Sequence, residues 1–217
     1  MKNGSIQGSL FPVKEGSDLF FYERRLISKG FRHIAGIDEA GRGPLAGPVV
    51  AAAVILPEDA ELPGVTDSKK LTPAKRDSLF EDVSRKALSI GVGIAEAGEI
   101  DEINILQATL KAMARAVENL SVPPDCLIID GINIIDSPLP QEAVKKGDSL
   151  SLSIASASII AKVTRDRMMA EYDLLYPHFG FASHKGYGSK THMDAIAAHG
   201  PSPIHRKSFA GVREHVK

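Results

Sequence analysis

Asp38 and Glu39 are adjacent carboxylates at the end of the short apolar run Ile34-Ala35-Gly36-Ile37, and they lead straight into Ala40-Gly41-Arg42-Gly43-Pro44. Carboxylates placed side by side repel one another, and desolvating them is costly unless a cation or a proton neutralises them. Gly41 and Gly43 let another backbone or a sugar approach closely, because no Cβ stands in the way. Two more acids repeat the pattern: Asp130 ends the apolar run Leu127-Ile128-Ile129 and precedes Gly131, and Asp148 follows Gly147 just ahead of a long helical stretch. Carboxylates with water form the oxygen-rich set that Mg²⁺ or Mn²⁺ prefers. Two such ions, roughly 4 Å apart, can activate a water and stabilise the leaving oxygen in phosphodiester cleavage. Taken singly, Asp130 and Asp148 read better as turn-formers or helix caps than as ligands. Consecutive strand residues point to opposite faces, so Asp38 and Glu39 converge only if the strand kinks, as the two glycines permit.

The elements that must position these acids alternate along the chain. Asp18 to Lys29 reads as a short amphipathic helix stopped by Gly30. Ile34 to Glu39 is a strand, and Val49 to Leu56 is a continuous apolar strand of the kind buried on both faces. Thr72-Pro73 forms a cap with proline at the first helical position, and Ser89 to Ala97 alternates like a third strand. Asp101 is placed to cap the next helix, whose Leu106, Leu110, Met113, Val117 and Leu120 recur at spacings of four and three. Cys126 to Asp130 is another buried strand, Gln141 to Lys146 a short edge strand, and Leu152 to Leu175 a long helix stopped by Pro177. The expected architecture is α/β: a mixed sheet with helices on both faces and the acids gathered at one rim.

The 217 residues are 43% hydrophobic and 24% charged, ordinary values for one sizeable core. Cys126 is the only cysteine, which excludes an internal disulfide and a cysteine-based zinc site; its apolar surroundings predict a buried thiol. No run reaches the roughly 18 apolar residues of a membrane span, and Met1 to Phe11 lacks the apolar centre of a signal peptide, so a soluble cytoplasmic protein is expected. Residues 1–16 read as a flexible tail and 17–217 as the folded unit. The net charge of −1 hides an asymmetry: residues 141–217 carry 11 Lys and Arg against 7 Asp and Glu. Gathered basic residues can form a phosphate-binding face, although charge alone favours a solvated surface. His184 and His192 offer no zinc-ligand spacing and read as loop or surface residues.

Ile37-Asp38-Glu39-Ala40-Gly41-Arg42-Gly43-Pro44-Leu45-Ala46-Gly47-Pro48-Val49 resembles the signature of bacterial ribonuclease HII. The likeness continues in Asp67-Ser68-Lys69-Lys70-Leu71, Leu127 to Gly131, Lys146-Gly147-Asp148, Ala155 to Asp166, His184 to Gly188 and His205 to Phe209, in family order over roughly residues 18–212. The resemblance implies a ribonuclease H-like fold with a C-terminal helical extension. It makes Asp38, Glu39, Asp130 and Asp148 the catalytic ligands of two divalent ions, Mn²⁺ or Mg²⁺, with Asp38 bridging both. Gly41, Arg42 and Gly43 map onto the motif that contacts the ribose 2′-hydroxyl, the group that tells RNA from DNA. Tyr187 maps onto the tyrosine that packs against the neighbouring sugar at a ribonucleotide-to-deoxyribonucleotide junction, and Lys69, Lys70, Lys162 and Arg165 would hold phosphates without reading sequence. The implied reaction is hydrolysis of RNA paired to DNA, and incision on the 5′ side of ribonucleotides embedded in duplex DNA, leaving 5′-phosphate and 3′-hydroxyl ends. That is the chemistry of ribonucleotide excision repair.

Gln7-Gly8-Ser9-Leu10-Phe11 resembles the short sliding-clamp-binding peptide of bacterial repair proteins, with Gly8 departing from its usual second residue. A monomer is expected. The rival reading is a dinucleotide-binding oxidoreductase, because Gly41, Gly43 and Ala46 satisfy the loose glycine spacing after a strand. Against it, Asp38 and Glu39 would repel a pyrophosphate, and a strand rather than a helix is expected to follow. A non-catalytic hybrid-binding module is the other alternative, separable by metal-dependent cleavage.

Overall fold

The computed structural model describes residues 18–66, 68 and 71–216. Lys69 and Lys70, and Gln7, Leu10 and Phe11 of the clamp-like peptide, lie outside the described residues. The unbroken apolar run of β2 (Val49–Ile55) takes the centre of the sheet's antiparallel half, where every one of its residues is buried. It pairs antiparallel with β1 (Ile34–Ala40) on one side and β3 (Ser89–Ala95) on the other. Beyond β1 the sheet turns parallel: β4 (Cys126–Asp130) and then β5 (Gln141–Val144) complete the order β3-β2-β1-β4-β5.

Among the described residues, six α-helices accompany the sheet: α1 (Phe21–Ile27), α2 (Pro73–Lys86), α3 (Ala97–Glu118), α4 (Leu152–Leu175), α5 (Phe181–His184) and α6 (Lys190–His199). Alternate strand residues face opposite layers, as the two-residue period demands. Ala52 and Val54 of β2 pack with Leu79 and Val83 of α2 and with the small residues of α4. Ala51, Ala53 and Ile55 pack instead with Ala108, Ala112 and Ala116 of α3. Glycine sets how closely the layers approach. A Cβ at Gly36 of β1 would lie 2.3 Å from the Ser153 carbonyl carbon, so α4 lies directly on the strand that carries Asp38.

Thr72 caps α2 by accepting from the Lys75 N–H, as its position before proline predicts. The long helix has the predicted bounds and is capped by Ser151. Asp101 is a correction: α3 begins at Ala97, four residues earlier. The residue that caps its regular second half is Asn104, at φ 69°, whose Oδ1 accepts from the N–H groups of Leu106 and Gln107. Asp101 accepts instead from the backbone of Lys207 and Ser208, both at 2.9 Å, fastening the C-terminal segment to α3. Cys126 is buried as expected, and burial pushes its thiol pKa up.

Past α4 the chain forms a smaller core in which Phe179, Phe181, Ile196 and Val212 close around Ala46 and Met169. Ala46 makes a β-bridge with His205, so this core grips the Gly41–Pro48 connection between β1 and β2.

Candidate active site

The parallel register pairs Ile37 of β1 with Ile129 of β4. One residue further, Asp38 and Asp130 are neighbours on adjacent strands, about 4.8 Å apart in such a sheet. Asp38 shares the α4 face with Gly36, two residues before it. It is only 4% exposed, and its Oδ1 accepts from the Glu39 N–H at 2.7 Å while Ser158 of α4 supplies a second hydrogen bond. Burial, and after it the charges of Glu39 and Asp130, hold the Asp38 carboxyl well above the usual range; the two hydrogen bonds act the other way.

Glu39 turns toward the opposite side of the rim and pairs with Arg42 at 3.3 Å. Asp130 accepts from the Gly147 N–H at 2.6 Å, which fastens the end of β4 to the short 3-10 turn Gly147–Ser149. That turn carries Asp148, itself 7% exposed, with the Ser149 hydroxyl 3.4 Å from its Oδ1. Asp38, Glu39 and Asp130 therefore share one electrostatic field, and Asp148 is held on the adjoining turn. Among the described residues, no three His, Cys, Asp or Glu side chains close on one point as a preformed metal cage. Each acid is engaged with donors of the protein. The donor set itself, oxygen without sulfur or nitrogen around a buried carboxylate that already feels two like charges, suits a hard divalent cation.

Beside the acids runs a groove of about 420 Å³ bordered by Glu39, the Gly41–Gly43 turn, Ser158, Lys162 and Tyr187. Gly41 has φ +97°, and a Cβ there would lie 2.1 Å from the Arg165 Nε, so no other residue fits. The turn is held by two buried arginines. Arg165 of α4 donates to the carbonyls of Pro48, Ala46 and Lys185 at 2.9–3.1 Å. Arg206 donates to those of Gly41, Arg42, Pro44 and Gly47.

The ribonuclease HII family model matches residues 35–212. Ribonuclease HII of Geobacter sulfurreducens is 64% identical over 208 residues, covering 96% of both chains, and that of Geobacter metallireducens is 65% identical over 198 residues, covering 91% of this chain and 93% of the relative. Among solved structures, ribonuclease H2 of Pyrococcus horikoshii superposes with a TM-score of 0.71 at 29% identity, covering 83% of this chain and 95% of that one. Ribonuclease HII of Archaeoglobus fulgidus, solved in complex with PCNA, gives 0.67 at 26% identity over 82% and 95%. The chain belongs to the ribonuclease HII family.

The oxidoreductase alternative falls on topology: after Gly41, Gly43 and Ala46 the chain enters β2, so no helix N-terminus is presented to a pyrophosphate. Arg165 needs correction as a phosphate holder. It is 1% exposed with its guanidinium spent on three backbone carbonyls, so it shapes the turn and does not face solvent. Lys162 does border the groove, paired with Asp166 at 2.7 Å, and burial lowers its pKa. Arg42 lies at the rim, and Tyr187 is 49% exposed with its ring 3.6 Å from where a Gly43 Cβ would stand. His184 and His192 are also corrected: both belong to helices, and His192 is fully buried against His205.

Sequence reasoning missed Arg206, Ser158 and Arg76. Arg76 of α2 borders the groove and donates to the carbonyls of Ser68 and Leu71. Arg206 and Ser158 act on groups distant in the chain, and Arg76, although its carbonyls lie five and eight residues earlier, reads in a linear pattern like any solvent-facing helix cation.

Proposed function

We propose that this chain is an endonuclease that hydrolyses the RNA strand of RNA/DNA hybrids and incises duplex DNA on the 5′ side of embedded ribonucleotides, leaving 5′-phosphate and 3′-hydroxyl ends. The observation that carries the reading is the buried Asp38 beside the charges of Glu39 and Asp130, with Glu39 bordering a groove lined by a glycine turn. Asp38, Glu39, Asp130 and Asp148 would hold two divalent cations, Mn²⁺ or Mg²⁺. Bound there, such ions supply an activated water and offset the charge that builds on the leaving oxygen.

The residues of the chain do the remaining work. The Ser158 hydroxyl and the Glu39 N–H orient the Asp38 carboxylate, and Arg42 steadies Glu39. The Gly41–Gly43 backbone reads the ribose 2′-hydroxyl by close approach, in a turn that a side chain at Gly41 would distort by striking Arg165. Tyr187 packs on the next sugar, and Lys162, with Lys69 and Lys70, neutralises backbone phosphates.

Residues 17–217 are proposed to form the catalytic unit, acting as a cytoplasmic monomer; among the described residues no helix is long and apolar enough to cross a membrane. The PCNA complex of the Archaeoglobus relative supports a sliding-clamp partner, reached here through Gln7, Leu10 and Phe11. A pull-down with the clamp that survives Leu10→Ala plus Phe11→Ala removes that partner site. The main test is gel analysis of a labelled duplex with one ribonucleotide beside an all-DNA control. A nick 5′ to the ribose that needs divalent metal is expected; cutting of the all-DNA duplex, or full activity in excess chelator, overturns the reading.

A further inference from the structure

Lys185 and Gly186 both adopt left-handed backbone, at φ 53° and 84°, immediately before Tyr187. Such a loop has no regular hydrogen-bond ladder of its own, and a non-glycine residue at positive φ persists only when its surroundings hold it. Two imidazoles add to that hold, beside the Arg165 guanidinium on the Lys185 carbonyl and the Ser189 N–H on the Tyr187 carbonyl. Gly186 donates its N–H to Nδ1 of His184 at 3.2 Å, and the Tyr187 carbonyl lies 2.9 Å from Nδ1 of His192. The His184 and His192 rings stack with centroids 4.4 Å apart.

The proton positions follow from the partners. Ser202 donates its backbone N–H to Nδ1 of His205 at 2.9 Å, so that nitrogen carries no proton and the neutral ring is protonated on Nε2. His205 Nε2 is 2.9 Å from His192 Nε2, and only one of the two can donate. His205 donates, His192 Nε2 accepts, and the His192 proton is left on Nδ1, where it meets the Tyr187 carbonyl. A single tautomer assignment satisfies every bond with both rings neutral. Burial under Phe179 and Phe181 favours neutrality, and it is the leading cause that lowers both histidines.

We propose that His192 and His205 are positioning residues for Tyr187: a directional relay from Ser202 through both rings to the Tyr187 carbonyl fixes where its side chain meets the sugar beside the ribonucleotide. The inference rests on the role proposed above for Tyr187. The Gly186 carbonyl accepts from the Leu45 N–H at 2.8 Å, so the relay sets Tyr187 in the same frame as the Gly41–Gly43 turn.

Two measurements test it. Long-range ¹H–¹⁵N spectra of the full chain report each tautomer directly; Nδ1–H at His192 and Nε2–H at His205 are expected, and the reverse assignment at either ring overturns the relay. The second is steady-state cleavage of a duplex with one embedded ribonucleotide against a continuous hybrid. His192→Leu should raise KM on the single-ribonucleotide duplex about tenfold, the worth of a lost buried hydrogen bond, with a smaller change on the hybrid. His192→Asn, whose amide can mimic the Nδ1–H donor, should recover most of that loss. In Tyr187→Ala the His192 substitution should cost nothing further, whereas additive losses refute action through Tyr187. If Tyr187→Ala alone leaves the substrate ratio unchanged, the role of Tyr187 fails and the relay with it. If Tyr187→Ala shifts the ratio and His192→Leu does not, only the relay fails.

Discussion

His205 makes acid stability a sharp test of the buried relay. Burial first, and the neighbouring His192 next, lower its pKa from 6.5 to about 4. The titratable groups acting on it are His192 and His184, with the Ser202 backbone bond opposing them, while Phe179 and Phe181 cover the ring. A histidine with a depressed folded pKa is protonated first in the unfolded chain. Stability therefore rises with pH between about 4 and 6.5, and is lost as pH falls through that window. Linkage over these two values gives a loss of about 2.4 kcal/mol between pH 7 and pH 4.5 from this one group. Urea unfolding followed by circular dichroism at both values reads it as a fall in midpoint of about 1 M, for a slope near 2–3 kcal/mol/M. His205→Gln keeps a donor toward His192 but removes the titration, so its midpoint should fall less by about that amount. An equal fall in variant and wild type would show that the ring is not held neutral in the fold.

Asp38→Asn removes a buried charge that Glu39 and Asp130 oppose, so cleavage should nearly vanish while the urea midpoint stays level or rises; a wild-type rate refutes the role of this carboxylate. Gly36→Ala places a methyl 2.3 Å from the backbone of α4 and should cost about 1–3 kcal/mol or more by overpacking, read as a lower melting temperature. Arg206→Met strands the carbonyls of Gly41, Arg42, Pro44 and Gly47 and should cost more than about 3 kcal/mol; full stability would mean the turn holds itself.

What the sequence made legible was local in origin. Val49 to Ile55 could only be a strand buried on both faces, and Ser151 and Thr72 announce helix starts by their own side chains. Asp38 and Asp130 could be assigned to one rim because each ends an apolar strand, and the parallel register then sets them side by side. Asp101 misled because an acid ahead of a periodic run imitates a cap, whereas its carboxylate reaches Lys207 and Ser208, more than a hundred residues away. The basic C-terminal third also reads differently once folded: two of its cations, Arg165 and Arg206, are interior, so the positive face is smaller than the charge count suggests. Nothing in a linear pattern distinguishes an arginine that binds backbone carbonyls from one that faces solvent.

Those two arginines explain how a site divided between separate cores keeps one geometry. Asp38, Glu39 and Asp130 belong to the sheet and Asp148 to the turn after β5, whereas Tyr187 lies on the loop between α5 and α6, and the Gly41–Pro48 connection and α4 both touch the smaller C-terminal core. Arg165 reaches this connection from α4 and Arg206 from beyond α6, and the carbonyl dipoles they gather stand in for carboxylate partners. Burial, and then the charge of Arg165, lower the Arg206 pKa to about 9, which still leaves it cationic at neutral pH. The planar guanidinium spans four carbonyls and lies over the Phe209 ring, 5.1 Å from its centroid. A lysine, with one compact ammonium, cannot span that set. Arg206→Lys should therefore keep the charge yet lose the fixed turn, weakening discrimination between ribose and deoxyribose while the acids stay in place. Undiminished discrimination in that variant would mean that charge, and not the guanidinium fork, holds the turn.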